Sequence, residues 1–141
     1  VSLSGDTLVV GAASETSNEN TITNGTTASS NNSNTRSGAV YVYKRTGTSW
    51  AQEAYIKAVN NATYALFGAS VSISDDTIAV GAYGERTNLT TITNGTTIGS
   101  STGDSTNSGA VYVYKGIGTS WAQEAFIKAV NKDDSDQFGL G

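Results

Sequence analysis

The sequence predicts an all-β protein made of two copies of a four-stranded antiparallel sheet. Residues 37–43 (SGAVYVY) return as residues 108–114, and residues 48–54 (TSWAQEA) return as residues 119–125. Matched positions lie 71 residues apart in these segments and 70 apart between Asp6 and Asp76. A repeat of this length usually encodes a supersecondary unit that buries its apolar faces by stacking on neighbours.

Each copy contains four strand-like segments separated by turn residues. In the second copy the predicted strands are 67–74, 77–82, 109–115 and 121–128. Asp75 and Asp76 form the first turn and 118–120 the third, as turn chemistry favours. The second and third strands are nearly continuous apolar runs, which suits a sheet covered on both faces. Four such strands, repeated, are typical of a propeller blade.

The two ends of the chain complement each other as the halves of one strand. The inner junction reads FGASVSIS at 67–74, whereas the chain ends with FGLG and begins with VSLS. We therefore expect one repeat at 1–66, whose first strand is completed by a preceding copy, a second at 67–137, and the start of another at 138–141. The residues expected at this head-to-tail contact are Val1, Leu3, Phe67, Phe138 and Gly139.

Composition excludes several classes of function. The chain has 141 residues, a net charge of −4, and no Cys or His. A net negative charge argues against electrostatic nucleic-acid binding. The missing Cys and His remove thiol chemistry, the commonest zinc ligands and the usual general base. No apolar run is long enough to span a membrane. We expect no enzyme activity. No histidine exists to activate a serine nucleophile. Glu53 and Glu124 are expected to be exposed at the rim of their sheets rather than paired for glycoside hydrolysis.

The order of these motifs resembles that of a known repeat family. Residues 67–71 (FGASV), 80–82 (VGA) and 109–114 (GAVYVY) are similar to the FG-GAP repeat of integrin-α-like β-propellers, in a long-loop form found in extracellular and surface proteins of microbes. The resemblance covers both copies. It implies a β-propeller fold and an extracellular or cell-surface location. The calcium-binding run of the family, Asp-x-Asp-x-Asp-Gly, is absent from the hairpin at Asp75 and Asp76.

Two long polar loops, 14–37 and 85–108, separate the second and third strands of each copy. Serine, threonine and asparagine dominate both, and an isoleucine in each is expected to pin the loop to its sheet. Asn-x-Ser/Thr sequons predict covalent glycans on the surface, although Asn-Gly is also a common turn dipeptide. The candidate acceptors are Asn24, Asn94, Asn61, Asn88 and Asn31.

Two further residue groups have a structural and a functional interpretation. Asp133, Asp134 and Asp136 form a weak calcium candidate, but a solvated turn between repeats is the favoured interpretation. Tyrosines and tryptophans at matched strand positions favour packing between sheets over a sugar-binding surface. They are Tyr41, Tyr43, Tyr112, Tyr114, Trp50 and Trp121.

The predicted function follows from two sheets whose outer faces lack partners. Exposed apolar faces associate, and heterologous head-to-tail contacts give rings or filaments. We expect a structural extracellular repeat glycoprotein that binds copies of itself and builds a higher-order surface structure, a fibril or a ring. The alternative is an adhesin or integrin-like propeller that binds a protein or glycan ligand.

Overall fold

The computed structural model describes residues 1–98 and 106–141. In this part of the chain all regular structure is β, in two sheets of five strands. The first sheet contains β1 (Ser2–Ser4), β2 (Thr7–Ala12), β3 (Ile22–Asn24), β4 (Ala39–Thr46) and β5 (Ser49–Ile56). The second contains β6 (Ser70–Ser74), β7 (Thr77–Ala82), β8 (Ile92–Asn94), β9 (Ala110–Ile117) and β10 (Ser120–Ile127). No helix in the described ranges has the length and apolar character needed to cross a membrane.

Both sheets have the same topology and antiparallel pairing. The first runs β1-β2-β4-β5-β3 and the second β6-β7-β9-β10-β8. The four predicted strands occupy the first four places of each sheet, as consecutive strands of a meander do. The all-β, antiparallel and repeated architecture is therefore confirmed, whereas the sheets are not closed into a ring and a propeller is not established.

The prediction of four strands per sheet is wrong, because each long loop contributes a fifth. Ile22 pairs with Ile56, and the Gly25 amide donates to the Glu53 carbonyl at 2.6 Å. Ile92 pairs with Ile127 in the same way. The additional strand satisfies backbone groups of β5 and β10 that would otherwise form an open edge. The fifth strand was not predicted because the loop is polar, and each of these three-residue strands contains only one apolar residue.

The first strand of the second copy begins later than predicted. It starts at Ser70, whereas Phe67 forms a parallel bridge with Gly38 at the start of β4. The Phe67 amide donates to the Ser37 carbonyl at 3.1 Å. Phe138 forms the equivalent bridge with Gly109. The backbone of each phenylalanine is thus attached to the sheet that precedes it.

The hydrophobic core lies between the two sheets. β1 and β2 lie against β6, and β10 lies against β3 and β5, so that matched strands face each other. The first sheet contributes Val9, Val40, Val42, Ala54 and Ile56, and the second contributes Ile73, Ile78, Val80, Tyr112, Tyr114, Trp121 and Phe126. The two sheets therefore present opposite faces to this core, and each retains one outer face.

Candidate functional site

The contact between the two sheets is the best-defined interaction surface in the structure. The Phe67 ring packs edge-on against Tyr112 and Tyr114 of β9, with ring centroids 5.1 and 6.1 Å apart. Tyr112 packs edge-on against Phe126 at 5.0 Å. All four rings are buried, and edge-to-face pairs add to the free energy gained from burial alone. Phe67 therefore links the sheet that holds its backbone to the sheet that follows.

Trp121 is held from the first sheet by two hydrogen bonds. Its backbone N–H donates to Asn24 Oδ1 at 3.0 Å, and its indole Nε1–H donates to Glu53 Oε1 at 3.0 Å. Asn24 ends β3 and Glu53 lies on β5. The loop strand that the sequence did not predict thus supplies one of the two acceptors.

Serine hydroxyls of β1 accept hydrogen bonds from backbone amides of β6 and of the turn that follows it. The Ile73 amide donates to Ser2 Oγ at 3.1 Å, and the Asp75 amide donates to Ser4 Oγ at 3.1 Å. These bonds join the two sheets at the β1 and β6 edge, and the Trp121 bonds join them at the opposite side, near β3 and β10. Satisfying backbone donors between sheets fixes their relative position along the strand direction.

A third polar link crosses the interface at Tyr112. Its hydroxyl donates to Asn60 Oδ1 at 2.6 Å, and Asn60 Nδ2 donates to Glu85 Oε1 at 3.0 Å. Burial and the negative charge of Glu85 raise the pKa of Tyr112 well above its usual value, and the bond to Asn60 opposes this. The phenol therefore remains a neutral donor across the whole ordinary pH range.

Several residues of the first sheet are the repeat equivalents of residues buried between the sheets. In the first sheet these residues lie on the outer face, which the second sheet does not cover. Leu3 is 61% exposed, whereas its repeat equivalent Ile73 is 8% exposed. Trp50 is 43% exposed, whereas its equivalent Trp121 is 6% exposed. Tyr41 is half-buried, whereas its equivalent Tyr112 is buried. We call the set Leu3, Leu8, Val10, Tyr41, Tyr43 and Trp50 the first-sheet outer face. Strand register places these side chains together, through pairs such as Leu3 with Leu8 and Val10 with Tyr41.

Several residues of the second sheet are in turn more exposed than their repeat equivalents in the first sheet. Val130 is 82% exposed where Val59 is 37% exposed, and Ile92 is exposed where Ile22 is half-buried. Phe138 is partly exposed although Phe67, in the same bridge, is fully buried. We call Ile92, Asn94, Glu124, Val130, Asn131 and Phe138 the second-sheet outer edge. Every member is the repeat equivalent of a residue that contacts or lies beside the second sheet.

The residues expected at a head-to-tail contact divide between these two surfaces. Val1 and Leu3 lie exposed at the first sheet, and Phe138 and Gly139 lie at the second. Phe67 lies between the two sheets, in the contact already formed within the chain. Of the six candidate aromatic residues, Tyr112, Tyr114 and Trp121 are buried between the sheets, whereas Tyr41, Tyr43 and Trp50 lie on the first-sheet outer face.

Sequence reasoning missed a buried ion pair in each copy. Lys57 Nζ lies 2.6 Å from Glu15 Oε2 and donates to Ser37 Oγ at 2.8 Å and the Gly38 carbonyl at 2.6 Å. Lys128 pairs with Glu85 at 2.7 Å in the same way. Burial lowers the pKa of both lysines, and the partner carboxylates oppose that shift. The signal in the sequence that could have indicated these pairs is a lysine at the same position of both copies, in a chain with few charged residues.

The five candidate glycan acceptors occupy different environments. Asn31 is exposed, and its Oδ1 accepts bonds from Asn18 and Ser33 while its amide nitrogen has no partner in the described ranges. Asn24 uses its oxygen to hold Trp121. Asn61 uses its amide nitrogen, which donates to two carbonyl oxygens, at 3.0 and 2.6 Å. Asn88 and Asn94 are exposed on the second loop.

The carboxylates of the acidic cluster cap backbone groups in an exposed turn. Asp134 accepts from the Thr106 amide at 2.9 Å, and Asp136 accepts from the Asp133 amide at 2.7 Å. Among residues 1–98 and 106–141, no three or more His, Cys, Asp or Glu side chains are grouped so as to hold a metal ion. Glu53 is half-buried at the Trp121 indole rather than exposed as expected, whereas Glu124 is exposed.

A cleft of about 240 Å³ opens beside Trp121 between the sheets. Tyr114 and Gln123 line it together with Ile22 and Lys57. The Tyr114 hydroxyl and Gln123 Oε1 are buried and have no hydrogen-bond partner among the described residues. Burial raises the pKa of Tyr114, so its hydroxyl remains protonated. Both atoms are closed to solvent, so the accessible lining of the cleft consists of the other atoms of these side chains and their neighbours.

Comparison with known proteins gives one match. A family model described as the FG-GAP repeat matches residues 50–114, which run from β5 through the Phe67 bridge to β9. Neither a curated protein nor a solved structure matches the chain.

Proposed function

We propose that the protein is a structural extracellular repeat glycoprotein whose sheets stack head-to-tail on further copies, because a model of the FG-GAP repeat matches residues 50–114. FG-GAP repeats are non-enzymatic and occur in extracellular and surface proteins. The proposed repeats are 1–66 and 67–137, with 138–141 beginning the next. The product is a higher-order surface structure, a fibril or a ring, and the partner is another copy of the same repeat.

The observation that carries this proposal is the contrast between Phe67 and Phe138. Both form the same backbone bridge, but only Phe67 has a following sheet on which its ring packs. The residues that receive Phe67 are Tyr112 and Tyr114, and their equivalents Tyr41 and Tyr43 are half-buried on the first-sheet outer face. A second copy placed against that face brings Phe138 onto Tyr41 and Tyr43. Both outer surfaces then lose contact with water.

Substitution of the two phenylalanines separates folding from assembly. Phe67→Ala removes a fully buried ring and should lower the free energy of unfolding by about 3–5 kcal/mol. Phe138→Ala removes a partly exposed ring and should leave the fold nearly intact while weakening self-association. Denaturant unfolding and sedimentation velocity measure the two effects. The proposal fails if Phe138→Ala associates as strongly as the unchanged protein.

An adhesin is the second candidate function, and the cleft beside Trp121 favours it. The aromatic side chains of Tyr114 and Trp121, with Gln123 in the same lining, suit a small polyhydroxylated ligand such as a monosaccharide unit. A glycan array tests this function. Saturable binding that is lost in Gln123→Ala would support the adhesin, whereas an array without binding would leave the structural function alone.

A further inference from the structure

We propose that copies of the chain recognise each other through Trp50, which the partner copy holds with Asn94 and Glu124. This inference rests on the proposed stacking function and names the residues that make it specific. The Asn94 Oδ1 of one copy accepts the Trp50 backbone N–H of the next. The Glu124 carboxylate accepts the indole N–H of the same tryptophan.

The contact between the two sheets of one chain provides the template. Asn24 and Glu53 hold Trp121 through bonds of 3.0 Å each. Each of these three residues has an identical equivalent in the other copy, namely Asn94, Glu124 and Trp50. The contact within the chain therefore uses one member of each pair of equivalent residues. The other members, Asn94, Glu124 and Trp50, lie at the outer surfaces.

The unused half is exposed and lacks hydrogen-bond partners. Trp50 is much more exposed than Trp121, and neither its indole N–H nor its outward backbone N–H is paired within the described residues. Asn94 and Glu124 are exposed, and their side chains accept no hydrogen bond within 1–98 and 106–141. Two donors on one surface thus match two acceptors on the other.

The other polar links of the template are duplicated as well. Asn60 accepts from the Tyr112 hydroxyl, and the equivalents are Asn131 and Tyr41. Ser2 accepts from the Ile73 amide, and the equivalents are Ser72 and Leu3. A second copy that follows the template satisfies all these groups in one register. Alternative placements of the apolar faces would leave them unpaired, which costs free energy on burial.

One residue beside Trp50 departs from the template. Position 116 is glycine beneath Trp121, whereas its equivalent Arg45 lies with its guanidinium 5.5 Å from the Trp50 ring centroid. Asp6 holds that guanidinium at 2.7 Å. Because Asp6 already neutralises this guanidinium, the contact with Glu124 of the partner copy depends on the indole N–H of Trp50 and not on a free positive charge.

The experiment measures self-association of the 141-residue protein and two complementary variants. Asn94→Ala/Glu124→Ala removes both acceptors, and Trp50→Ala removes the indole ring with its N–H donor while it keeps the backbone N–H. Glu19→Ala is the control, because Glu19 is an exposed carboxylate that belongs to neither outer surface. Sedimentation velocity over a range of concentrations gives the association constant, and circular dichroism verifies the fold of each variant. Acrylamide quenching measures the exposure of Trp50.

Each variant alone should associate at least tenfold more weakly than the unchanged protein, as the loss of hydrogen-bonded partners at a buried contact requires. An equimolar mixture should give dimers and no larger species, since each variant keeps one intact surface. Unchanged association of the double variant would overturn the role of Asn94 and Glu124 while leaving stacking intact. An unchanged protein that stays monomeric with Trp50 open to acrylamide would overturn the stacking function itself.

Discussion

The FG sequence is explained at the residue scale by one buried ring and one glycine. Phe67 is enclosed by the following sheet, and Gly68 has φ +86° where the chain passes from one sheet to the next. A Cβ on Gly68 would lie 2.5 Å from the Ala39 carbonyl oxygen. Glycine is therefore required both by the backbone conformation and by the close approach of two chain segments.

Gly68→Ala should lower the free energy of unfolding by at least about 2 kcal/mol, because it adds a steric clash to a left-handed conformation. Gly118→Ala is the matched control, since Gly118 has φ +63° but open space around it. Its cost should be limited to the conformational strain, about 1 kcal/mol. Urea unfolding compares the two variants. Equal costs would show that the close approach at Gly68 is unimportant.

Glycan occupancy should follow the environment of each asparagine nitrogen. Asn31 should be occupied, because its nitrogen has no partner in the described residues. Asn61 should be bare, because a sugar on its nitrogen would remove at least one of the two hydrogen bonds that it donates. Peptide mass spectrometry of protein made in a glycosylating host measures both. Full occupancy of Asn61 with bare Asn31 would contradict this order.

At the element scale, the buried lysine joins the long loop to the sheet. Lys57 follows β5, Glu15 follows β2, and Ser37 precedes β4, so their contact closes the loop at both of its ends. The second copy repeats the arrangement with Lys128 and Glu85. A polar loop with almost no apolar residues thus keeps a defined course through a buried ion pair.

Lys57→Met should destabilise the protein by about 3–5 kcal/mol, because it leaves Glu15 without its partner in a largely buried site. Lys44→Met is the control, since Lys44 is exposed and its ammonium donates to Thr7 Oγ1 without an acidic partner in residues 1–98 and 106–141. Its effect should be below about 1 kcal/mol. Chemical denaturation measures both. A similar small effect of both changes would mean that the ion pair does not hold the loop.

Sequence alone predicted the elements whose apolar pattern is strong. The strands around Val80 and Tyr112 and the FG-GAP resemblance follow from local residue patterns. The expected packing of matched aromatic residues between sheets is seen for one copy, whereas the matched aromatic residues of the other copy lie on the first-sheet outer face. The fifth strand was not predictable, since Ile22 is a single apolar residue among polar ones. The matched lysines Lys57 and Lys128 were a signal in the sequence, but their pairing with Glu15 and Glu85 could not be predicted, because Lys57 and Glu15 lie 42 positions apart and meet only in the folded sheet.

At the scale of the whole molecule, three buried tyrosines limit stability in alkali. Burial raises the pKa of Tyr55, Tyr112 and Tyr114. The unfolded chain releases these protons near pH 10, whereas the folded chain retains them, so stability falls as pH rises above about 10. Lys57 and Lys128, whose pKa values are lowered, act in the opposite direction at pH below about 10.5.

Tyr114→Phe should therefore protect the protein in alkali at little cost near pH 7. The hydroxyl that it removes has no hydrogen-bond partner in the part of the chain that the structure describes, and its loss eliminates up to about 1.4 kcal/mol of destabilisation per pH unit. Tyr64→Phe is the control, because Tyr64 is exposed. Urea unfolding between pH 8 and about 12 measures the slope. An identical slope in both variants would be inconsistent with burial of the Tyr114 phenol.

The two outer surfaces of the molecule carry the repeat equivalents of the residues that contact each other between its own sheets. Electron microscopy of the purified protein, without any added ligand, tests most directly whether copies stack through them. Stacking through these surfaces predicts regular rings or fibres in which sheets continue from copy to copy. Separate two-sheet particles at every concentration, with Phe138 and Trp50 still open to solvent, would contradict it.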